Sequence, residues 1–369
     1  MAGTTQTIRN HSIIQFLLFS VLVTIILYYA RELLIPLVFA AFFAMLMAPV
    51  CRKLERKKIN RTWAVLICVF VLLIVLLSVF AIIIGEIVSF SDDLPAIQKK
   101  LNESVTTVEV FIQQHANISP ARQATVIKEQ INTLGKSAGG YLGKMMGGIA
   151  EMLAALTLTL VYTFLLLYNK EKYETFFIKL YGKNHPQKTK EIIEEVATIG
   201  GKYIYGRAIT IVFFWIMYSI AFSLIGIKGA ILVSAIVAIL SIIPYVGSII
   251  GGVFPLLIAL ITNDSFVPAL WVIIVLVIVH GLSTYFIEPT VIGRQVKLSA
   301  LAMIVGLIAG GFIWGIAGMI IFIPILAITK IVCENIDHLK PYGYLIGDPD
   351  ENKSSKIEEW FKNKFKKIK

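Results

Sequence analysis

Charged residues are scarce in this chain, and their scarcity excludes a soluble globular protein. Of its 369 residues, 15% are charged and 57% are hydrophobic, and the mean hydropathy is +0.80. A soluble domain of this length needs many more polar side chains to cover its surface. The composition therefore predicts a membrane protein that crosses the bilayer several times.

Cysteine is also rare, and the usual catalytic motifs are missing. The three cysteines, Cys51, Cys68 and Cys333, lie in or beside apolar segments and form no Cys-x-x-Cys pair. This argues against a disulfide framework and against a metal site. The sequence has no His-Glu-x-x-His, no Gly-x-Ser-x-Gly and no phosphate-binding glycine loop before Lys-Ser/Thr. We expect no enzymatic activity, no cofactor and no bound metal.

The net charge of +11 comes from short basic runs between apolar segments, not from one basic domain. Such runs determine membrane topology, so we expect no nucleic-acid partner. The densest run comprises Arg52, Lys53, Arg56, Lys57, Lys58 and Arg61. By the positive-inside rule this loop is cytoplasmic. The lysine-rich C-terminal tail then places both termini in the cytoplasm as well.

Apolar stretches predict an all-α polytopic protein with about eight membrane segments, the first of them an uncleaved span. These segments cover residues 13–29, 35–50, 63–85, 149–168, 208–225, 230–262, 267–287 and 299–332. Residues 86–148 are more polar and predict a helical insertion outside the membrane and outside the cytoplasm. Residues 186–207 place Ile192, Val196, Ile199 and Tyr203 on one face, which predicts an amphipathic helix on the inner membrane surface.

The predicted organisation has five parts. N-terminal spans occupy residues 1–85, and the insertion occupies 86–148. The fourth span and the cytoplasmic amphipathic helix occupy 149–207. A transport core of helical hairpins occupies 208–334, and a basic cytoplasmic tail occupies 335–369.

Two segments of the predicted core are broken at their middle by glycine or proline. The first break is Pro244-Tyr245-Val246-Gly247, and the second lies around Gly310-Gly311 and Gly315. Three of their arms, 230–243, 248–262 and 299–309, hold at most 15 residues. At roughly 1.5 Å per residue these arms reach about 22 Å at most, short of a hydrocarbon core of about 30 Å. A break at membrane depth leaves backbone groups, such as the carbonyls of Ile242 and Ile243, for a solute or cation. Tyr245 offers a hydroxyl for a diol, or an anchor at the interface.

Each broken segment follows a complete crossing, which predicts two repeats of opposite orientation. Residues 208–225 precede the hairpin 230–262, and residues 267–287 precede the hairpin 299–332. Inverted repeats with broken helices are typical of transporters that work by alternating access around a central site. The alternative is a helix bundle in which the glycines only permit tight packing.

Three polar residues follow at four-residue steps along the span 267–287 and beyond it. His280, Thr284 and Glu288 therefore fall on one helical face. An ionisable group at mid-bilayer costs about 2.5–3.5 kcal/mol, so it normally faces a cavity or a partner. We expect His280 and Glu288 to take part in proton or cation coupling. Alternatively, His280 is neutral and bonded to a carbonyl, and Glu288 pairs with Arg294.

The motifs Pro244-Tyr245-Val246-Gly247 and Glu288-Pro289-Thr290-Val291-Ile292-Gly293 resemble those of the autoinducer-2 exporter family, the PerM-like bacterial permeases. The likeness covers nearly the whole chain. It implies a homo-oligomeric inner-membrane transporter of a small molecule or ion. By this resemblance Pro244, Gly247, Glu288, Pro289 and Gly293 belong to the site.

The resemblance leaves the transported solute open. The first expectation is export of a small solute similar to autoinducer-2, and the alternative is exchange of sodium or lithium against protons. A third possibility is an envelope scaffold that transports nothing and binds a partner through residues 86–148. An intramembrane channel is the fourth.

Overall fold

Helices make up the regular structure of this protein. The computed structural model describes residues 2–82, 84–85, 148, 151–181, 186–243, 246–262, 265–287 and 298–348. Within these ranges the helices are joined by turns and bends, and the one β-type pairing is an isolated antiparallel bridge between Leu298 and Gly347. The predicted all-α class is confirmed.

The helices are numbered in chain order. The N-terminal ones are α1 (Ala2–Tyr29), α2 (Arg31–Arg56) and α3 (Arg61–Ile82). The central ones are α4 (Glu151–Tyr168), α5 (Lys170–Tyr181) and α6 (Pro186–Ile225). The C-terminal ones are α7 (Ala230–Leu240), α8 (Val246–Thr262), α9 (Val267–Leu282), α10 (Ala300–Asn335) and α11 (Lys340–Ile346). A π-helical turn, Ser283–Ile287, extends α9.

Six of the described helices are long and apolar enough to cross a membrane, judged by length and composition. They are α2, α3, α4, α6, α10 and α9 with its π-helical turn. Shorter apolar helices cover Leu17–Tyr29, Ala230–Leu240 and Ile250–Leu260. Together these elements correspond to the expected membrane segments, so the polytopic membrane fold is also confirmed.

The chain divides into two compact units. The first unit comprises Met1–Leu66, Ala155–Ile204 and Arg294–Lys369, and the second comprises Ile67–Ala154 and Tyr205–Gly293. The predicted core 208–334 thus contributes to both units. The predicted insertion, except Gly148, and residues 349–369 of the predicted tail lie outside the described residues.

Aromatic side chains of α6 form the core of the second unit. Phe214, Tyr218 and Phe222 follow at four-residue steps, and their rings stack at 5.5 and 5.4 Å between centroids. Tyr218 and Phe222 are fully buried. Around them pack small and β-branched residues of α7, α8 and α9, among them Val233, Ala259 and Val272. Small partners allow the large rings of one helix to fill the space between its neighbours.

The structure corrects the prediction of an amphipathic surface helix followed by a separate fifth span. Both belong to α6, an unbroken helix of 40 residues that is about 60 Å long at 1.5 Å per residue. The predicted apolar face does exist, but its partner is protein. Ile199 and Tyr203 are buried against Ile323 and Ala327 of α10 within the first unit. Amphipathic spacing reports that one face is covered, and it cannot tell lipid from protein.

Candidate functional site

The first predicted hairpin is formed by α7 and α8 in the second unit. A Cβ atom added at Gly251 would lie 3.4 Å from Cγ1 of Val237, and one added at Gly247 would collide with the carbonyl oxygen of Leu240. These pairs place the two helices antiparallel and in direct contact. Gly247 therefore serves close packing, whereas Pro244 and Tyr245 lie outside the described residues.

One of the carbonyl groups expected to be free at this break already has a partner. The backbone N–H of Gly247 donates to the carbonyl oxygen of Ile243 at 2.8 Å. This bond satisfies the Ile243 carbonyl with the chain's own backbone. The expectation that this carbonyl awaits a solute is corrected accordingly.

The second hairpin lies in the first unit, and it reverses at Gly315. Its backbone angles there are φ 61° and ψ −139°, inside what is otherwise the helix α10. A Cβ atom added at Gly310 would come within 2.7 Å of the carbonyl oxygen of Gly318 and 2.8 Å of Phe322. Residues eight and twelve apart would be about 12 and 18 Å apart in a straight helix. The segments 300–314 and 316–335 are therefore the two antiparallel arms of a hairpin.

The predicted glycines of this hairpin have different roles. Gly315 makes the reversal, because its positive φ is a conformation that residues with a side chain rarely adopt. Gly310 and Gly311 are helical, and they let the opposite arm approach. The sequence predicted a break around all three, and the structure places it at Gly315 alone.

The tip of the second hairpin is tied to the first helix of the chain. The indole N–H of Trp314 donates to the carbonyl oxygen of Leu27, near the end of α1, at 2.9 Å. Trp314 is 8% exposed, and its ring meets Phe322 edge to face at 6.3 Å. A carbonyl in the last turn of a helix has no partner in its own helix, so Trp314 caps α1 while it fixes the hairpin.

His280 lies at a polar contact between α6 and α9 in the second unit. The hydroxyl of Tyr218 is 3.0 Å from Nδ1 of His280, and the imidazole stacks on Phe214 at 5.0 Å between ring centroids. Tyr218 is fully buried. The predicted inward-facing position of His280 thus corresponds to a defined hydrogen bond between side chains of two membrane helices. When Nδ1 accepts the tyrosine proton, the imidazole hydrogen is on Nε2.

Thr284 does not share this environment. It lies in the π-helical turn and is exposed, whereas its neighbour Ser283 is only 1% exposed. A π-helical turn displaces the side chains from the helical register on which the predicted His280–Thr284–Glu288 face depends. Glu288, Pro289, Gly293 and Arg294 lie outside the described residues.

Among the buried polar atoms of the second unit that have no hydrogen-bond partner in the described residues, three belong to neutral side chains. They are the indole nitrogen of Trp215 and the hydroxyls of Ser219 and Ser283. Trp215 and Ser219 flank Tyr218 on α6, and Ser283 follows His280 on α9 by three residues. Buried polar groups are normally paired, so unsatisfied ones often mark a place for water or a ligand. The sequence offered no signal for them, because Ser and Trp are common in membrane helices.

The first unit holds a buried charge in its hairpin. Lys330, in the second arm of α10, is 7% exposed, and its Nζ lies 3.1 Å from Oε1 of Glu334. A buried lysine is rare unless it is paired. In the part of the chain that the structure describes, no three metal-ligating side chains come together.

Comparison with known proteins agrees with this architecture. The sequence model of the protein family described as AI-2E family transporter matches residues 17–338 of this chain. The chain belongs to the AI-2E transporter family. YueF of Bacillus subtilis strain 168, a proposed transport protein, is 27% identical to this AI-2E transporter over 323 residues, which cover 84% of this chain and 86% of YueF.

Two further relatives span similar shares of their chains. YrrI of Bacillus subtilis, also a proposed transport protein, is 24% identical over 82% of this chain and 86% of its own length. The AI-2 transport protein TqsA of Escherichia coli strain K12 is 20% identical over 94% of this chain and 99% of its own. This member of the AI-2E family is therefore a multi-pass bacterial membrane protein, and its family is one of transport proteins.

Proposed function

We propose that this AI-2E transporter exports a small polar solute across the bacterial inner membrane by alternating access. Its family membership supports transport, and its similarity to TqsA, an AI-2 transport protein, supports a solute similar to AI-2. Two helical hairpins inside apolar sequence, α7 with α8 and the two arms of α10, support a mechanism in which hairpins move as rigid bodies.

The observation that carries this proposal is the hydrogen bond between Tyr218 and His280. It brings an ionisable group and a hydroxyl together inside an apolar core, where polar groups are costly and seldom lack a function. The unsatisfied atoms of Trp215, Ser219 and Ser283 supply donors and acceptors on the same two helices. A polar solute or water between these helices would satisfy them.

The proposed pathway contains the residues that the sequence singled out. They are Pro244, Tyr245, Gly247, His280, Thr284, Glu288, Pro289, Gly293, Arg294, Gly310, Gly311 and Gly315. We assign coupling to His280 and Glu288 and bending or close packing to the glycines and prolines. The basic run from Arg52 to Arg61 supports a cytoplasmic location for that loop and for both termini.

An antiport of sodium or lithium against protons is the second candidate, and His280 is the observation that favours it. Histidine is the side chain whose ordinary pKa lies nearest to physiological pH, so it suits a proton-coupled step. Its partner Tyr218 can donate to the neutral ring or accept from the protonated one. Export and antiport therefore make different predictions about the effect of a pH gradient.

Counterflow in proteoliposomes tests both candidates. Proteoliposomes that contain the full chain are loaded with small polyols, or with lithium or sodium, and the flux is measured with and without a pH gradient. His280→Gln and Tyr218→Phe should lower the rate or change its pH dependence. Tyr205→Phe is the matched control, because Tyr205 lies on the same helix and is 55% exposed.

Several outcomes would contradict the proposal. Unchanged rate and pH dependence in folded His280→Gln and Glu288→Gln would exclude the coupling role. Flux that does not saturate would favour a channel. If no solute or cation is carried, while deletion of residues 86–148 abolishes a cellular phenotype, the scaffold would be the better explanation. The homo-oligomer implied by the family stays a prediction, to be measured by native mass spectrometry.

A further inference from the structure

Helix α5 has an apolar face that no other described part of the protein covers. Tyr173, Phe176, Phe177 and Leu180 follow at three- and four-residue steps, so they share one face of the helix. Their side chains are 41, 55, 45 and 54% exposed. None of the twelve residues of α5 is buried by the described residues.

The adjoining face of α5 is polar. Lys172, Thr175 and Lys179 share it by the same spacing, and all three are exposed. At about 1.5 Å per residue the helix is about 18 Å long, which is too short to cross a bilayer. An aromatic face bordered by a lysine-bearing face is the pattern of a helix that lies in the plane of the membrane surface.

The ends of three membrane helices fix the start of α5 at the membrane boundary. Only Asn169 separates α5 from the end of α4. The ammonium of Lys170 lies 2.6 Å from the carboxylate of Glu55, in the last turn of α2. The carboxylate of Glu171 lies 3.1 Å from the guanidinium of Arg61, the first residue of α3. Helices that cross a bilayer end near its surface, so α5 begins at that level.

One further contact restrains the direction of α5, and a second packs two rings within α5 itself. Glu174 lies 3.6 Å from Nζ of Lys190, in the first two turns of α6. Phe176 and Phe177 meet edge to face at 5.3 Å between ring centroids. The charged side chains thus hold the first half of α5 to protein, while the aromatic rings remain available on another face.

We propose that α5 lies in the membrane interface, with Tyr173, Phe176, Phe177 and Leu180 inserted between the lipid headgroups. Lys172 and Lys179 then face the phosphates and water. The partner is the phospholipid surface itself. The ring of Tyr173 combines an apolar body with a polar hydroxyl, which suits this depth, and Phe and Leu are usual on the apolar face of helices that lie in the interface. This surface is independent of the solute and of the transport mechanism.

Site-directed spin labelling of the full chain in vesicles tests this placement. Phe176→Cys on the apolar face is compared with its neighbour Thr175→Cys on the polar face. Leu180→Cys and Lys179→Cys form a second matched pair. The native Cys51, Cys68 and Cys333 are buried, and the labelled parent chain measures any signal from them. Vesicles contain phosphatidylethanolamine and phosphatidylglycerol, and collisions with oxygen and with a water-soluble nickel chelate are measured.

Labels at positions 176 and 180 should collide more with oxygen than with nickel, and labels at 175 and 179 should show the reverse. Equal nickel accessibility within both pairs would place α5 in water and overturn the proposal. Protection of 176 and 180 from both reagents would also overturn it, because protein or a second copy would then cover the face. A variant that elutes differently from the parent is replaced by the other pair.

Discussion

Replacement of Gly315 by alanine tests the reversal on which the second hairpin depends. At φ 61° and ψ −139° the backbone occupies a region that is almost closed to residues with a Cβ atom. No described atom lies within 4 Å of the added Cβ, so steric collision with neighbours contributes nothing. The cost is then backbone strain alone, of order 1–3 kcal/mol.

The substitution Gly315→Asn distinguishes the backbone geometry of Gly315 from that of an ordinary left-handed turn. Asparagine tolerates the left-handed helical region, where ψ is about +30 to +60°. Because ψ of Gly315 is −139°, Gly315→Asn should destabilise the protein about as much as Gly315→Ala. The control is Gly252→Ala, since Gly252 is helical and its added Cβ would meet Leu276 at 3.7 Å, an ordinary contact.

The assay is thermal and denaturant-induced unfolding of the purified protein in detergent, followed by intrinsic fluorescence. Both Gly315 variants should unfold at lower temperature and lower denaturant concentration than the parent. Gly252→Ala should match the parent or exceed it slightly, because alanine is favoured over glycine in a helix by roughly 0.5–1 kcal/mol. Parent-like stability of Gly315→Ala would refute the reversal at this residue.

Other substitutions test contacts within the first unit by the same unfolding assay. Gly310→Ala should destabilise the protein more than Gly311→Ala. The Cβ added at Gly310 meets the backbone of the opposite arm, whereas the Cβ added at Gly311 meets the flexible end of the Met319 side chain. Equal losses of stability in the two variants would contradict this packing. Trp314→Phe removes the hydrogen bond to α1 and should cost about 0.5–1.5 kcal/mol, and no loss would show that the bond does not form. Glu55→Lys and Lys170→Glu should each destabilise the protein, and the double variant should recover up to about 1 kcal/mol; strictly additive losses would exclude their pairing.

The local sequence pattern predicted the helices well where a helix depends only on its own residues. Long apolar runs predicted the membrane helices, because burial in lipid needs only composition and length. Breaks at Gly and Pro predicted where apolar segments fold back, since these residues disfavour a continuous helix. The predicted role of His280 in coupling stays a prediction, and in the structure its Nδ1 lies 3.0 Å from the hydroxyl of Tyr218.

The candidate site was less accessible to such reasoning. The predicted His280–Thr284–Glu288 face assumed an α-helical register, and the π-helical turn at Ser283–Ile287 changes it. Ser283, not Thr284, is the buried hydroxyl. A shift of one residue in the helical register depends on packing and hydrogen bonds around the turn. Residues nearby in the chain do not reveal it.

The sequence alone determined that this protein is a helical membrane protein with two reversals, because composition and glycine positions are local properties. Tertiary structure decided what each helix face contacts. The apolar face of α6 packs on α10, although the sequence assigned it to lipid, and the aromatic face of α5 remains open. Apolar spacing has the same period against either partner, so only residues distant in the chain distinguish protein from lipid.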